Sequence, residues 1–248
     1  YADPGWAPTG WAELADTARA TMAAAAPGSG AQLAWARAFI GAARSADELR
    51  LLRDWLSGRN VPPGLTVDTE LRWEVLQALA AAGQVDAAEI DAALAADSTA
   101  AGQRAAATAR ALIPTPEAKA EAWQLHPVGQ AGDFIGQLLT GAQAPPNWQH
   151  RAVLQGFWHA NQLEVTAPYV DAFHQVAADV FVRRVGELGR EFLTLGYPAV
   201  HVSPDTVAAS DAWLADPQHP AQARRLVAEG RDAVVRALAA RETDTSAS

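Results

Sequence analysis

Residues 69–104 read TELRWEVLQALAAAGQVDAAEIDAALAADSTAAGQR, and this stretch decides the fold class. Apolar residues recur at the spacing of a helix face, and start and stop signals interrupt them twice. Gly83 closes the first helix, Asp86 caps the second, and Ser98 or Thr99 opens the third. The stretch therefore predicts three helices joined by two tight turns, with short side chains between them.

The same signals recur along the rest of the chain. Ser45 and Glu48 form a capping box, in which the hydroxyl and the carboxylate each bond an otherwise unpaired backbone N–H. Thr115-Pro116 places a proline at the first helical position, where the missing N–H is not needed. The segments predicted as helices are 11–26, 30–43, 46–56, 69–82, 87–95, 99–112, 116–125, 130–141, 146–157, 161–174, 175–195, 204–216 and 220–241.

Short connections between helices favour antiparallel packing of neighbours, and a stack of such hairpins is an α-solenoid. Alanine dominates the apolar half of the composition, and strictly alternating β-branched runs are hard to find. No fixed repeat period is visible. The sequence therefore predicts an all-α, HEAT-like superhelical array of about a dozen helices in a single domain, 1–248. The polar segment ETDTSAS, 242–248, is predicted to be a flexible tail.

Composition excludes several partners and sites. The net charge of −9 would repel the negatively charged phosphate backbone of a nucleic acid, so a nucleic-acid partner is not expected. No apolar stretch is long enough to span a bilayer, so neither a membrane partner nor a signal peptide is expected. The chain has no cysteine, which excludes disulfides and thiolate metal sites. A cytoplasmic location is predicted from these features.

The chain contains little that resembles catalytic chemistry. The six histidines are His126, His150, His159, His174, His201 and His219. No two of them are three or four residues apart, and H-E-x-x-H is absent, so no metal ligand is predicted. A G-x-S-x-G elbow, a Walker loop and a dinucleotide-binding glycine motif are also absent. We therefore predict no catalytic residue in this chain.

Arginines are the most distinctive polar residues. A guanidinium can hold a carboxylate by two parallel hydrogen bonds, whereas ordinary ion pairing with Glu229 or Asp232 is the alternative. The arginines predicted to lie on helices near the end of the chain are Arg183, Arg184, Arg224, Arg225, Arg231 and Arg236.

Three motifs between residues 67 and 123 have a recognisable order. An acid-capped L-R-W helix starts at Asp68, D-x-T-x-x-G starts at Asp97, and P-x-x-x-x-K-x-x-x-W runs from Pro114 to Trp123. In this order they closely resemble the C-terminal helical domain of aminopeptidase N from high-GC bacteria. Three further segments resemble the same family: 28–39, GSGAQLAWARAF; 156–173, GFWHANQLEVTAPYVDAF; and 211–238, DAWLADPQHPAQARRLVAEGRDAVVRAL. His159 and Ala160 depart from the family pattern, and 125–145 matches it poorly.

The resemblance implies a parent enzyme that is a zinc aminopeptidase of the gluzincin type, which releases N-terminal residues from peptides. The family's zinc motif and its G-x-M-E-N segment belong to an earlier catalytic domain, and neither occurs here. The expected partners are that catalytic domain of the same parent chain and peptide substrates. No cofactor is expected in this fragment, and one zinc ion is expected in the catalytic domain.

In such an enzyme the helical domain would cap the active-site chamber, control peptide access and be inactive alone. Arg225 and Arg231 are the residues we predict to hold the far end of a peptide. Because the chain begins at Tyr1 without an initiator Met, we expect a truncated C-terminal domain, with exposed apolar surface near its first helix. The alternative is a free-standing HEAT-like solenoid that binds a protein or peptide on its concave face.

Overall fold

The computed structural model describes residues 2–125, 147–183 and 186–246, and within these ranges the regular elements are helices, without a strand. The all-α prediction is therefore confirmed. The α-helices are α1 (Ala7–Ala24), α2 (Gly30–Ala42), α3 (Ala46–Leu56), α4 (Thr69–Ala81), α5 (Ala87–Ala96), α6 (Ala100–Leu112), α7 (Pro116–Leu125), α8 (Asn147–Phe157), α9 (Leu163–Thr166), α10 (Pro168–Arg183), α11 (Glu187–Leu195), α12 (Pro204–Leu214) and α13 (Ala221–Ser246). A 3-10 turn, Ala160–Gln162, precedes α9. The helix predicted at 130–141 lies outside the described residues.

The capping signals read from the sequence are mostly correct. In the box at α3, the Ser45 hydroxyl accepts from the Glu48 N–H at 3.3 Å, and the Glu48 carboxylate accepts from the Ser45 N–H at 2.8 Å. Asp86 caps α5 by accepting from the Glu89 N–H at 2.9 Å. The carboxylate of Glu89 pairs with Arg53 of α3 instead of completing a second box. This ion pair links α5 to α3.

The helix boundary predicted between 174 and 175 is wrong. Helix α10 runs without a break from Pro168 to Arg183, and a 3-10 turn with the short α9 precedes it. Proline fits the first position of a helix, so Pro168 marks the true start of this helix. Gly186, with φ at 94°, stands immediately before α11 in a backbone conformation that favours glycine. These two residues set the boundaries that hydrophobic periodicity alone had misplaced.

Two terminal boundaries also differ from the prediction. Helix α1 begins at Ala7, four residues before its predicted start, because the backbone carbonyl of Asp3 accepts from the Ala7 N–H at 2.9 Å. Helix α13 continues to Ser246. Residues 242–246, which the sequence assigns to a flexible tail, are therefore helical.

The chain divides into two compact units, an N-terminal unit of residues 2–109 and a C-terminal unit of residues 110–248. In the N-terminal unit, the rings of Phe39 and Trp55 lie 5.7 Å apart, and both side chains are fully buried. Leu52 and Leu71 are also fully buried. Two apolar side chains at the start of the chain, Trp6 before α1 and Leu14 within it, are 51% and 41% exposed. The superhelical arrangement of the helices stays a prediction.

Aromatic rings form the centre of the C-terminal unit. Trp123 of α7 lies 5.3 Å from the ring of Phe157 and 5.1 Å from that of Tyr169. Phe173 of α10 stacks on Phe192 of α11 at 5.3 Å. Such pairs contribute about 0.5–1.5 kcal/mol each beyond their buried area, so this cluster joins α7, α8, α10 and α11.

Candidate functional site

Arg225, the first predicted substrate-binding residue, lies on the exposed side of α13. Its side chain is 78% exposed, and its Nε donates to the Glu229 carboxylate one turn later at 2.9 Å. This is the surface ion pairing that the sequence analysis gave as the alternative. Such a pair contributes about 0.3–0.5 kcal/mol and leaves the guanidinium largely hydrated.

Arg231, the second predicted residue, already holds a carboxylate by two bonds. Its Nε donates to Oδ1 of Asp211 at 2.7 Å, and a terminal nitrogen donates to Oδ2 at 3.0 Å. The hydrogen bonds from Arg231 keep the pKa of Asp211 below its usual range. The two parallel hydrogen bonds that we predicted Arg231 to make with a peptide are made with Asp211 instead, and they link α12 to α13. A peptide carboxylate at Arg231 would have to displace Asp211.

A double-mutant cycle with Asp211→Asn and Arg231→Gln should give a larger coupling free energy than a surface pair joined by one hydrogen bond, because two hydrogen bonds join Arg231 to Asp211. Urea unfolding of the four proteins measures it. The same cycle with Glu229→Gln and Arg225→Gln is the matched control, since that pair has a similar length but lies within one helix and is joined by one hydrogen bond. Equal coupling in the two cycles would contradict a special role for the bidentate pair.

A second polar site, which the sequence analysis did not single out, centres on Lys119. Its side chain is completely buried, and Nζ donates to the carbonyls of Ala111 at 2.5 Å and Phe157 at 2.8 Å. Beside it, the amide of Gln162 donates to the carbonyl of Leu112 at 2.7 Å. Ala111 and Leu112 end α6, and Phe157 ends α8, so the site gathers the carboxyl ends of two helices.

The chemistry of this site is that of a shared helix cap. The last carbonyls of a helix have no partner within the helix and carry partial negative charge, so an ammonium group suits them. Burial opposes the charge and lowers the pKa of Lys119 to about 7. The sequence offered one signal for this site, because Lys119 is the only lysine in the chain. A single lysine that also belongs to the family motif pointed to a role other than surface charge.

A buried serine–histidine contact lies in the C-terminal unit. Nε2 of His174 is 2.9 Å from the hydroxyl of Ser210, and the hydroxyl of Tyr197 is 2.8 Å from the same oxygen. The three side chains are 8%, 0% and 3% exposed, respectively. Because a substrate could not reach Ser210 without opening the core, this contact holds helices together rather than forming a nucleophile.

A groove of about 440 Å³ lies between α4 and α5 in the N-terminal unit. Trp73 and Leu76 line one wall, three alanines line the other, and Arg72 and Glu89 supply charge. Nε1 of Trp73 donates a hydrogen bond to the Asp97 carboxylate at 2.8 Å, and this bond sets the orientation of the indole ring. The groove is shallow and has no cluster of reactive groups among its lining residues.

The described ranges contain neither a metal-ligand group nor a membrane-spanning helix. Within 2–125, 147–183 and 186–246, no three His, Cys, Asp or Glu side chains are grouped as metal ligands. In the same part of the chain, every helix is too short or too polar to cross a membrane. Two residues named in the sequence analysis, His126 and Arg184, lie outside the described residues.

The chain is similar to a known protein family and to a curated protein. The model of the family described as ERAP1-like C-terminal domain matches residues 3–236. A curated relative, Aminopeptidase N from Streptomyces lividans, is 42% identical to this chain over 228 residues. The match covers 92% of the chain and 25% of the relative, so the chain spans about a quarter of the length of that protein.

Proposed function

Because the chain belongs to the ERAP1-like C-terminal domain family, we propose that it is the C-terminal helical domain of a zinc aminopeptidase of the aminopeptidase N type. The parent enzyme would release N-terminal residues from peptides. This domain would cap the active-site chamber and control the access of peptides, without catalysing the reaction alone. The observation that carries the proposal is the identity of 42% to an aminopeptidase N along 92% of the chain.

The roles of the motif residues support a scaffold function. Trp73 and Thr99 donate to the two carboxylate oxygens of Asp97 at 2.8 and 2.7 Å. Lys119 and Trp123, which close the matched motifs, are buried in the C-terminal unit. These motif residues thus make internal contacts that hold helices in place.

The described residues do not fit the zinc ion that an aminopeptidase requires. H-E-x-x-H occurs nowhere in the chain, and the described part contains no group of metal-ligating side chains. Zinc in such enzymes polarises the scissile carbonyl and activates water. We propose that the catalytic domain of the same parent chain, in the cytoplasm, holds it. The partner of this domain would therefore be covalently attached.

Arg225 and Arg231 remain our proposed contacts for the far end of a peptide. A guanidinium binds a carboxylate in a planar, bidentate fashion, which suits the carboxyl terminus of a substrate. Arg225 is the more exposed of the two, and its ion pair is with Glu229 on its own helix. To bind a peptide, Arg231 would have to release the Asp211 carboxylate and bind the peptide carboxylate in its place.

Hydrolysis of alanyl- and lysyl-p-nitroanilide tests the proposal. The chain alone should release no nitroaniline, and mixing it with a zinc-loaded catalytic portion of the same enzyme should increase the activity of that portion. The control is the catalytic portion mixed with an unrelated helical protein. Activity of the chain alone that a chelator abolishes would contradict the proposal. No gain on mixing would favour a free-standing array that binds peptides or proteins.

A further inference from the structure

His174 of α10 occupies a buried position with a fixed set of hydrogen-bond partners. Its Nδ1 is 2.8 Å from the carbonyl of Val170, and its Nε2 is 2.9 Å from the hydroxyl of Ser210 in α12. The Ser210 oxygen also lies 3.0 Å from the carbonyl of Thr206. Because a carbonyl oxygen only accepts, Nδ1 carries a proton at every pH.

The position of the Ser210 proton then depends on the charge of His174. When the imidazole is neutral, its Nε2 accepts from the Ser210 hydroxyl, and Ser210 accepts from Tyr197 at 2.8 Å. When Nε2 carries a proton, it donates to Ser210, and the hydroxyl is free to donate to the Thr206 carbonyl. Both states have a complete assignment of donors, and they differ in the direction of one hydroxyl.

We propose that His174 is a proton-linked switch at the contact between α10 and α12, in which a proton gained at Nε2 turns the Ser210 hydroxyl from His174 to the carbonyl of Thr206. The switch lies inside the C-terminal unit. It needs no movement of the helices, because the acceptor in each state is already within hydrogen-bond distance.

Burial has the largest effect on the protonation of His174, and charged neighbours modify it. Asp171 on α10 favours the imidazolium, whereas Asp211 of α12 is neutralised by Arg231 of α13. On α11, the buried carboxylate Glu191 is paired with Arg151 of α8. Tyr197, which precedes α12, stays a neutral donor because burial raises the pKa of its hydroxyl.

Burial is the largest influence on His174 itself and lowers its pKa. An unfolded histidine titrates near pH ~6.5, so the unfolded chain binds this proton before the folded chain does. The contribution of His174 to stability is therefore complete above that pH. It is lost as the pH falls toward the lower pKa of the folded state.

Nitrogen-15 NMR of the histidine rings in the 248-residue chain tests the switch, with His174→Gln used to assign the signals. At neutral pH, His174 should carry its proton on Nδ1 and leave Nε2 unprotonated, and acidification should add the proton at Nε2. In Ser210→Ala, His174 should bind this proton about tenfold more weakly, because the imidazolium loses its acceptor.

A matched control comes from a second histidine in the same unit. His201 contacts the hydroxyl of Thr166 through Nε2 at 2.8 Å, so Thr166→Val should change the titration of His201 and leave that of His174 unaltered. Two results would overturn the proposal. One is an Nε2–H tautomer of His174 at neutral pH in the unsubstituted chain, and the other is an unchanged titration of His174 in Ser210→Ala.

Discussion

Replacing Lys119 with methionine is expected to lower the free energy of unfolding by about 3 kcal/mol at pH ~9. Methionine fills a similar volume but leaves the carbonyls of Ala111 and Phe157 buried without their donor. Those carbonyls end two helices, so no backbone N–H within either helix replaces the lost partner. Urea denaturation followed by circular dichroism measures the loss.

The effect of Lys119 should also depend on pH. Burial lowers its pKa to about 7, whereas an unfolded lysine titrates near pH ~10.4. Between these values the unfolded chain binds the proton that the folded chain has released, so stability rises with pH by up to about 1.4 kcal/mol per pH unit. The difference between the unsubstituted chain and Lys119→Met should therefore be smaller at pH ~6 than at pH ~9.

Two controls make this result specific. Arg104→Met removes a cation from the exposed side of α6 and should change stability by less than about 0.5 kcal/mol. Because Lys119 is the only lysine, an amine-acylating reagent reports directly on its burial. Acylation should be confined to the amino terminus until the chain unfolds. Rapid acylation of Lys119 in the native chain, or an equal loss of stability at both pH values, would contradict this account.

Sequence reasoning succeeded where a structural feature depends on residues close together in the chain. Asp68 was predicted to cap α4, and its carboxylate accepts from the Leu71 N–H at 2.9 Å. Caps require only a side chain and a backbone N–H three residues later, so they can be read locally. The break that was misplaced near residue 174 lies in a region where apolar residues continue through several helices. In that region Pro168 indicates where the helix begins, whereas hydrophobic periodicity does not.

The same reasoning could not locate the partners of polar side chains. Arg231 was predicted to hold the far end of a peptide, and in the structure its guanidinium makes two hydrogen bonds to Asp211 of α12, twenty residues earlier in the chain. Lys119 receives one of its acceptors from Phe157, 38 residues away. These pairings depend on how the helices pack and on which face each presents. No local pattern in a single sequence shows which helix faces pack against each other.

The second large effect is expected for Gly102→Ala in the N-terminal unit, at about 3 kcal/mol of lost stability. A Cβ atom at Gly102 would lie 2.0 Å from the backbone oxygen of Asp97 and 2.6 Å from its Oδ2. Asp97 cannot move away freely, because its carboxylate accepts from Trp73 and Thr99. The substitution must therefore shift the backbone at the start of α6 or break the bond to Trp73.

Gly41→Ala is the matched control, since it makes the same substitution in α2 where a Cβ would meet no atom within 4 Å. Alanine is the better helix former, so this variant should gain about 0.5 kcal/mol. The opposite signs separate steric conflict from helix propensity, which would favour alanine at both positions. Thermal and urea unfolding of the two variants measure the difference. A neutral Gly102→Ala would mean that Asp97 is not held by Trp73 and Thr99, and the glycine of the family motif would then need another explanation.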